Sequence, residues 1–187
     1  MKKCKACKQE FEPRRPLQKV CSLTCSIDLV NQDKVKKVKA ETREMKKRVR
    51  DKDKPYWTKK AQEVFNQWIR LRDYKQPCIS CGTWGPCQWH AGHFKSVGGH
   101  PELRFEELNV HKQCAQCNNF KSGNIMEYRP RLEYRIGLEK LERLDGPHHP
   151  VKYTIDDLKG LVKTYRAKIK ESEHESNTES RERKENY

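Results

Sequence analysis

No stretch of this 187-residue chain approaches the run of about 20 apolar residues that a membrane span requires. The N-terminus likewise reaches Cys4 without an apolar signal region. Both absences predict a cytoplasmic protein with no membrane partner, in a reducing compartment where paired cysteines serve as metal ligands more readily than as disulfides. Apolar residues are scarce overall: 34% are hydrophobic against 36% charged, so something besides packing must help hold the fold. The length allows one modest core with appendages rather than two full-sized domains. Negative charge is also in deficit. Lys and Arg number 41 against 26 Asp and Glu, a formal net charge of +15 that attracts phosphate backbones whatever their sequence. A merely soluble basic protein is the alternative, and the placement of the charge favours nucleic acid.

Composition divides the chain into four segments. Residues 1–30 carry two cysteine pairs, with Pro13 and Pro16 marking turns between them, and are too short to fold on apolar packing alone. Residues 31–56 form a basic arm. From Asp33 to Lys60, thirteen Lys or Arg stand against five Asp or Glu, giving +8 of the total, and glycine is absent. This predicts a basic helix that orders best on its partner, with Lys36, Lys39, Arg43, Lys46, Lys47, Arg48 and Arg50 as phosphate contacts. A solvated helical linker is the competing reading. Residues 57–170 form the main domain. Thr58 is the expected cap of a helix to about Arg72, with Ala61, Val64, Phe65, Trp68 and Ile69 at helical spacing. Residues 74–125, rich in Cys, His, Gly and Asn, predict short strands and loops around a metal. Leu132, Ile136, Leu141 and Leu144 indicate another helix, and Thr154 with Asp157 a capping box opening a last one through Leu158, Val162, Tyr165 and Ile169. The tail, 171–187, has six acidic and three basic residues and is expected to be disordered.

Eight of the nine cysteines fall into two quartets. Cys78, Cys81, Cys114 and Cys117 form two CxxC knuckles, each able to present two thiolates to one tetrahedral zinc. Four such ligands close the coordination sphere, so this zinc is structural; a redox CxxC is the alternative. Cys4, Cys7, Cys21 and Cys25 make a second zinc site of plausible spacing, and Cys87 is left over.

Between the knuckles lie Trp89-His90-Ala91-Gly92-His93, then Gly98-Gly99, then Asn109-Val110-His111; Asn118-Asn119-Phe120-Lys121 follow the second knuckle. This order resembles the HNH endonucleases, and more closely the NinG, or Rap, recombination proteins of lambdoid phages. The resemblance runs from the N-terminal cysteines to about Lys170 and is most specific over 78–124. It implies an α+β fold: a small zinc-braced ββα-metal core flanked by helices, with the N-terminal zinc knuckle and basic helical arm appended. It also implies a metal-dependent endodeoxyribonuclease acting on branched DNA such as Holliday junctions and D-loops, in the host bacterial cytoplasm. In that pattern His93 is the general base and Asn109 orients its ring by hydrogen bonding. Mg²⁺ or Mn²⁺ is held by Asn118 and, because the usual ligand position is Gly92, by His90 in its stead. Lys121 is either a phosphate contact or a solvated lysine. Two-fold substrates favour a homodimer, although no clear heptad seam marks its surface. The rival is a non-catalytic zinc-containing nucleic-acid-binding module, which would have no need of His93 and Asn109. An RNA-processing relative is a weaker third possibility, since charge does not separate DNA from RNA.

Overall fold

The computed structural model describes the backbone of residues 1–185 and the side chains of residues 1–174. It contains helices and two small antiparallel sheets, an α+β arrangement in two compact units, Met1–Lys52 and the chain from Asp53 onward. Among the described residues no helix is long and apolar enough to cross a membrane.

The first unit has almost no apolar interior. Strands β1 (Lys2–Lys3) and β2 (Glu10–Phe11) pair Lys2 with Phe11 and Lys3 with Glu10, and the turn between them holds the first cysteine pair. Helix α1 (Leu23–Asp51) starts at Ser22, whose hydroxyl accepts from the Cys25 backbone N–H at 3.2 Å. Cys25 therefore sits in the first turn of the basic helix, so the zinc segment and the arm share one element. None of its 29 residues is buried, and all the predicted phosphate contacts from Lys36 to Arg50 are exposed.

The second unit opens with α2 (Lys54–Arg72), capped by Asp53 rather than Thr58. The Asp53 carboxylate accepts from the Tyr56 N–H at 3.3 Å, Pro55 occupies the first turn where its missing donor does no harm, and Thr58 is already inside the helix. The apolar face of α2 packs Ala61, Val64, Phe65, Trp68 and Ile69 against Leu158, Val162, Tyr165 and Ile169 of α5 (Ile155–Glu185). Phe65 meets Tyr165 edge to face at 4.9 Å. The capping box at Thr154 and Asp157 is made in both directions, at 2.8 and 3.1 Å. The backbone of α5 continues to Glu185 through most of the segment expected to be disordered, where straight-chain Glu, Lys and Arg favour helix. Asn186, Tyr187 and the side chains beyond His174 lie outside the described residues.

Strands β3 (Trp89–His93) and β4 (Val110–Cys114) form the second sheet, pairing His90 with Gln113, Gly92 with His111 and His93 with Val110. Every residue of β4 is buried. Arg72, at the end of α2, donates to the carbonyls of Glu107 and Val110, and Asp73 accepts from the Lys112 N–H at 2.9 Å. The sheet is thereby tied to the helical core. After β4 a turn of π-helix, Gln116–Phe120, leads to α3 (Ile125–Ile136) and α4 (Leu138–Asp145), split at Gly137 with φ +86°. These two helices close a second cluster of Ile79, Phe94, Leu103, Tyr128, Leu132, Leu141 and Leu144.

Candidate metal centres and active site

The four sulfurs of each quartet lie within 4.8 Å of one another, and these are the two places among the described residues where three or more His, Cys, Asp or Glu side chains can converge on an ion. Neighbouring sulfurs are 3.7 Å apart for Cys7 and Cys21, 3.5 Å for Cys21 and Cys25, and 3.8 Å for Cys81 and Cys114. Zinc–sulfur bonds of about 2.3 Å in a tetrahedron place sulfurs roughly 3.8 Å apart, whereas a disulfide is about 2 Å. Both quartets thus fit zinc. Backbone donors support the sulfurs: the Cys114 N–H points at Cys78 Sγ (3.3 Å) and the Cys21 N–H at Cys4 Sγ (3.4 Å). Cys87 is exposed and belongs to neither group.

His93, half-buried at the end of β3, has its Nε2 3.0 Å from the Arg104 carbonyl. A carbonyl can only accept, so this nitrogen carries the hydrogen and Nδ1 keeps the free lone pair. Burial lowers the ring's pKa, the carbonyl bond raises it less, and the Arg104 guanidinium lowers it again, leaving it below the ordinary histidine value. The ring is neutral at neutral pH.

Asn109 does not touch that ring. Fully buried, it accepts from the Lys95 N–H at 2.7 Å and donates to the carbonyls of Lys95 (3.0 Å) and Leu103 (3.1 Å). It grips the loop between the strands at both ends, and that loop delivers the Arg104 carbonyl to His93. The expected direct bond from Asn109 to the imidazole is replaced by this indirect hold, because β3 ends with His93 before the loop that Asn109 spans.

The other predicted pair does come together: Asn118 Nδ2 lies 3.1 Å from His90 Nδ1. Strand alternation puts His90 and Gly92 on one face of β3 and His93 on the other. His90 is therefore on the correct face to stand in for the side chain that Gly92 lacks. That contact is a hydrogen bond from the Asn118 amide N–H to the ring, so a divalent cation held here would have to use Asn118 Oδ1 and the other ring nitrogen of His90, a lean pair without a carboxylate.

Gly92 has its own packing reason. A Cβ there would collide with Gln113 Oε1 and come within 2.9 Å of its Cδ and 3.0 Å of its Cβ. Gln113 cannot swing aside, since it is fully buried and its Nε2 is held by Ser80 Oγ at 2.6 Å and by the Gly123 carbonyl. The Gly92 carbonyl in turn accepts from Tyr128 Oη (3.1 Å), which His111 Nδ1 meets at 3.2 Å. His111 is accordingly a buried positioning group; burial and then Arg72 push its pKa down to about 3.

Sequence spacing did not reveal a polar row on α2. Gln62, Asn66 and Arg70 recur every fourth residue beside the apolar face, with Gln62 Nε2 donating to Asn66 Oδ1 at 2.8 Å. Gln62 also meets Arg104 at 3.4 Å, while Asn66 and Arg70 line an open polar cleft with Gln88, Trp89, His90, Ala91 and Asn118. The row thus runs from the loop that holds His93 to the His90–Asn118 pair. Lys121 is exposed just past the π-turn.

A family model described as "Bacteriophage Lambda NinG protein" matches residues 1–175. The chain belongs to the NinG family. Protein ninG of Enterobacteria phage H19B is 38% identical over 186 residues, covering 91% of this chain and 92% of that relative. Protein ninG of Escherichia phage lambda is 44% identical over 120 residues, covering 64% of this chain and 59% of the relative. Protein ninG of Salmonella phage P22 is 42% identical over 120 residues, with 64% and 59% covered. The aligned chain thus spans about three fifths of the lambda and P22 relatives. No solved structure matches this NinG-family chain.

Proposed function

We propose that this NinG-family chain is an endodeoxyribonuclease of the HNH type that cleaves branched DNA, Holliday junctions and D-loops among them, with β3, β4 and the helical segment after them as its ββα-metal core. The observation that carries the reading is His93: a neutral imidazole, anchored through Nε2 to a loop gripped by Asn109, with Nδ1 free to take a proton. Such a group suits the deprotonation of the water that attacks a phosphodiester.

Arg70 and Asn66 would orient a phosphate in the cleft that they line with His90 and Asn118. Mg²⁺ or Mn²⁺, when bound at His90 and Asn118, would neutralise charge on a phosphate in that cleft, and the scissile group would have to pass the end of β3 to reach His93, whose side chain leaves the strand on the other face. The exposed cations of α1, with Lys39, Arg43, Lys46 and Arg50 along one groove, supply sequence-independent phosphate contacts. Paired cuts on a two-fold junction suit two copies of the chain. The test is incubation of purified protein with labelled linear and four-way DNA, with and without Mg²⁺ or Mn²⁺. Metal-dependent cutting of the four-way DNA supports the proposal, and binding without cutting under every condition favours the binding module.

A further inference from the structure

Phe120 closes the π-turn two residues after Asn118, and it is 76% exposed. The turn that follows it is firmly held. Ser122, Gly123 and Asn124 take left-handed φ values of +48°, +85° and +46° in succession, which only a well-determined surrounding enforces on two non-glycine residues. The Gly123 N–H bonds the Cys117 carbonyl at 3.0 Å, Asn124 Nδ2 reaches Cys117 Sγ at 3.5 Å, and the Gly123 carbonyl accepts from Ser80 Oγ at 3.3 Å. The segment is therefore fastened to the zinc quartet and to the floor of the sheet. An aromatic ring on so firm a support, turned to solvent in a protein of net charge +15, with Lys121 next to it, has the makings of a site for a flat and negatively charged ligand.

We propose, on the reading of this chain as a branched-DNA nuclease, that Phe120 is a platform on which an unstacked nucleobase rests while Lys121 meets its flanking phosphate. Every base has a π-face, so such a platform is tolerant of sequence, and it discriminates by structure. In a continuous duplex the faces are already taken by neighbouring bases. At a branch point or strand end a face is open. Phe120 thus selects branched over linear DNA, on the same π-turn that carries Asn118.

The experiment uses the full chain and Phe120→Ala, Phe120→Leu and Phe120→Trp, with no added divalent cation and no chelator, so that zinc stays in place. The probes are a four-way DNA carrying 2-aminopurine at the branch point and a linear duplex of the same sequence. The wild type is expected to change the 2-aminopurine emission and to prefer the junction. Phe120→Ala and Phe120→Leu should lose that change and bind the junction on the order of 10-fold more weakly, with duplex affinity unchanged, while Phe120→Trp retains both. Equal weakening on both DNAs, full binding by Phe120→Ala, or a leucine as good as tryptophan would overturn the platform; the last outcome would mark an apolar protein contact instead. The readout needs no cleavage. Wild type that shows the emission change but never cuts sinks the nuclease reading and keeps the platform, and cutting by wild type with Phe120→Ala binding normally does the reverse.

Discussion

The two cysteine quartets use the same four ligands at similar spacing, yet they stand in different surroundings. Cys78, Cys114 and Cys117 are buried among strand, knuckle and cluster, whereas Cys7 and Cys21 are exposed and only Cys4 is fully enclosed. In the unit from Asp53 onward a sizeable apolar core exists besides the metal. In the unit Met1–Lys52 an ion held by the quartet would itself be the core. The difference teaches that one motif can brace a fold in one place and constitute it in another.

The largest expected effect separates chemistry from binding. His93→Ala should lower single-turnover cleavage of four-way DNA by roughly 100-fold to 10,000-fold while zinc content and DNA affinity hold. Full activity in that variant would remove the base assignment and with it the functional contrast between the units. Deleting Met1–Lys52 should do the complementary thing: affinity falls, and the log–log salt slope shrinks by about 0.9 for each phosphate that the arm neutralises, so by several units in all. An unchanged slope in a salt titration would make α1 a linker.

Paired variants sharpen the comparison of the quartets. Cys21→Ser and Cys114→Ser should each reduce the zinc count from two to one. Cys21→Ser should also lose much of the helicity contributed by α1, with the thermal transition of the second unit unmoved; Cys114→Ser should abolish cleavage while the packing of α2 on α5 persists. Circular dichroism with elemental analysis reads both, and identical losses of helicity would mean that the two sites play the same part.

Smaller effects probe the hairpin. Gly92→Ala should destabilise the second unit by about 1–3 kcal/mol in a denaturant titration, through overpacking against Gln113. Gly92→Asp should fail to install a working metal ligand for the same reason, and a gain in metal affinity would refute the packing account. Stability should also decline in mild acid. His111 is held neutral in the folded state with its pKa lowered to about 3, so the unfolded chain binds the proton first. That contribution is complete above pH of about 6.5 and drains away as pH falls toward the folded value. His111→Gln should flatten this dependence in melts recorded across pH.

What could be read from the sequence follows from how far each signal reaches along it. The CxxC knuckles, the Thr154–Asp157 box and the apolar face of α2 are local patterns, and they stand where spacing put them. Order along the chain singles out His93 and Asn109, but it does not specify the indirect hold through the Arg104 carbonyl, which depends on how a loop closes. The row of Gln62, Asn66 and Arg70 looks like any solvated helix face until β3 is laid beside it. The bar to a side chain at Gly92 lies across the sheet in Gln113, a relation set by register alone.

One consequence follows from the seam between the first quartet and α1. Starting a helix is its improbable step, with a nucleation factor near 10⁻³, and a helix without buried contacts has no tertiary packing to repay it. Here the start is prepared by Ser22 and by Cys25, which in the first turn belongs to a quartet able to hold zinc. Metal loading at one end would thus govern a rod of 29 residues, about 44 Å long at 1.5 Å per residue. An oxidant that strips the thiolates would act at a distance, turning a spaced ladder of cations into a slack one without touching any of them.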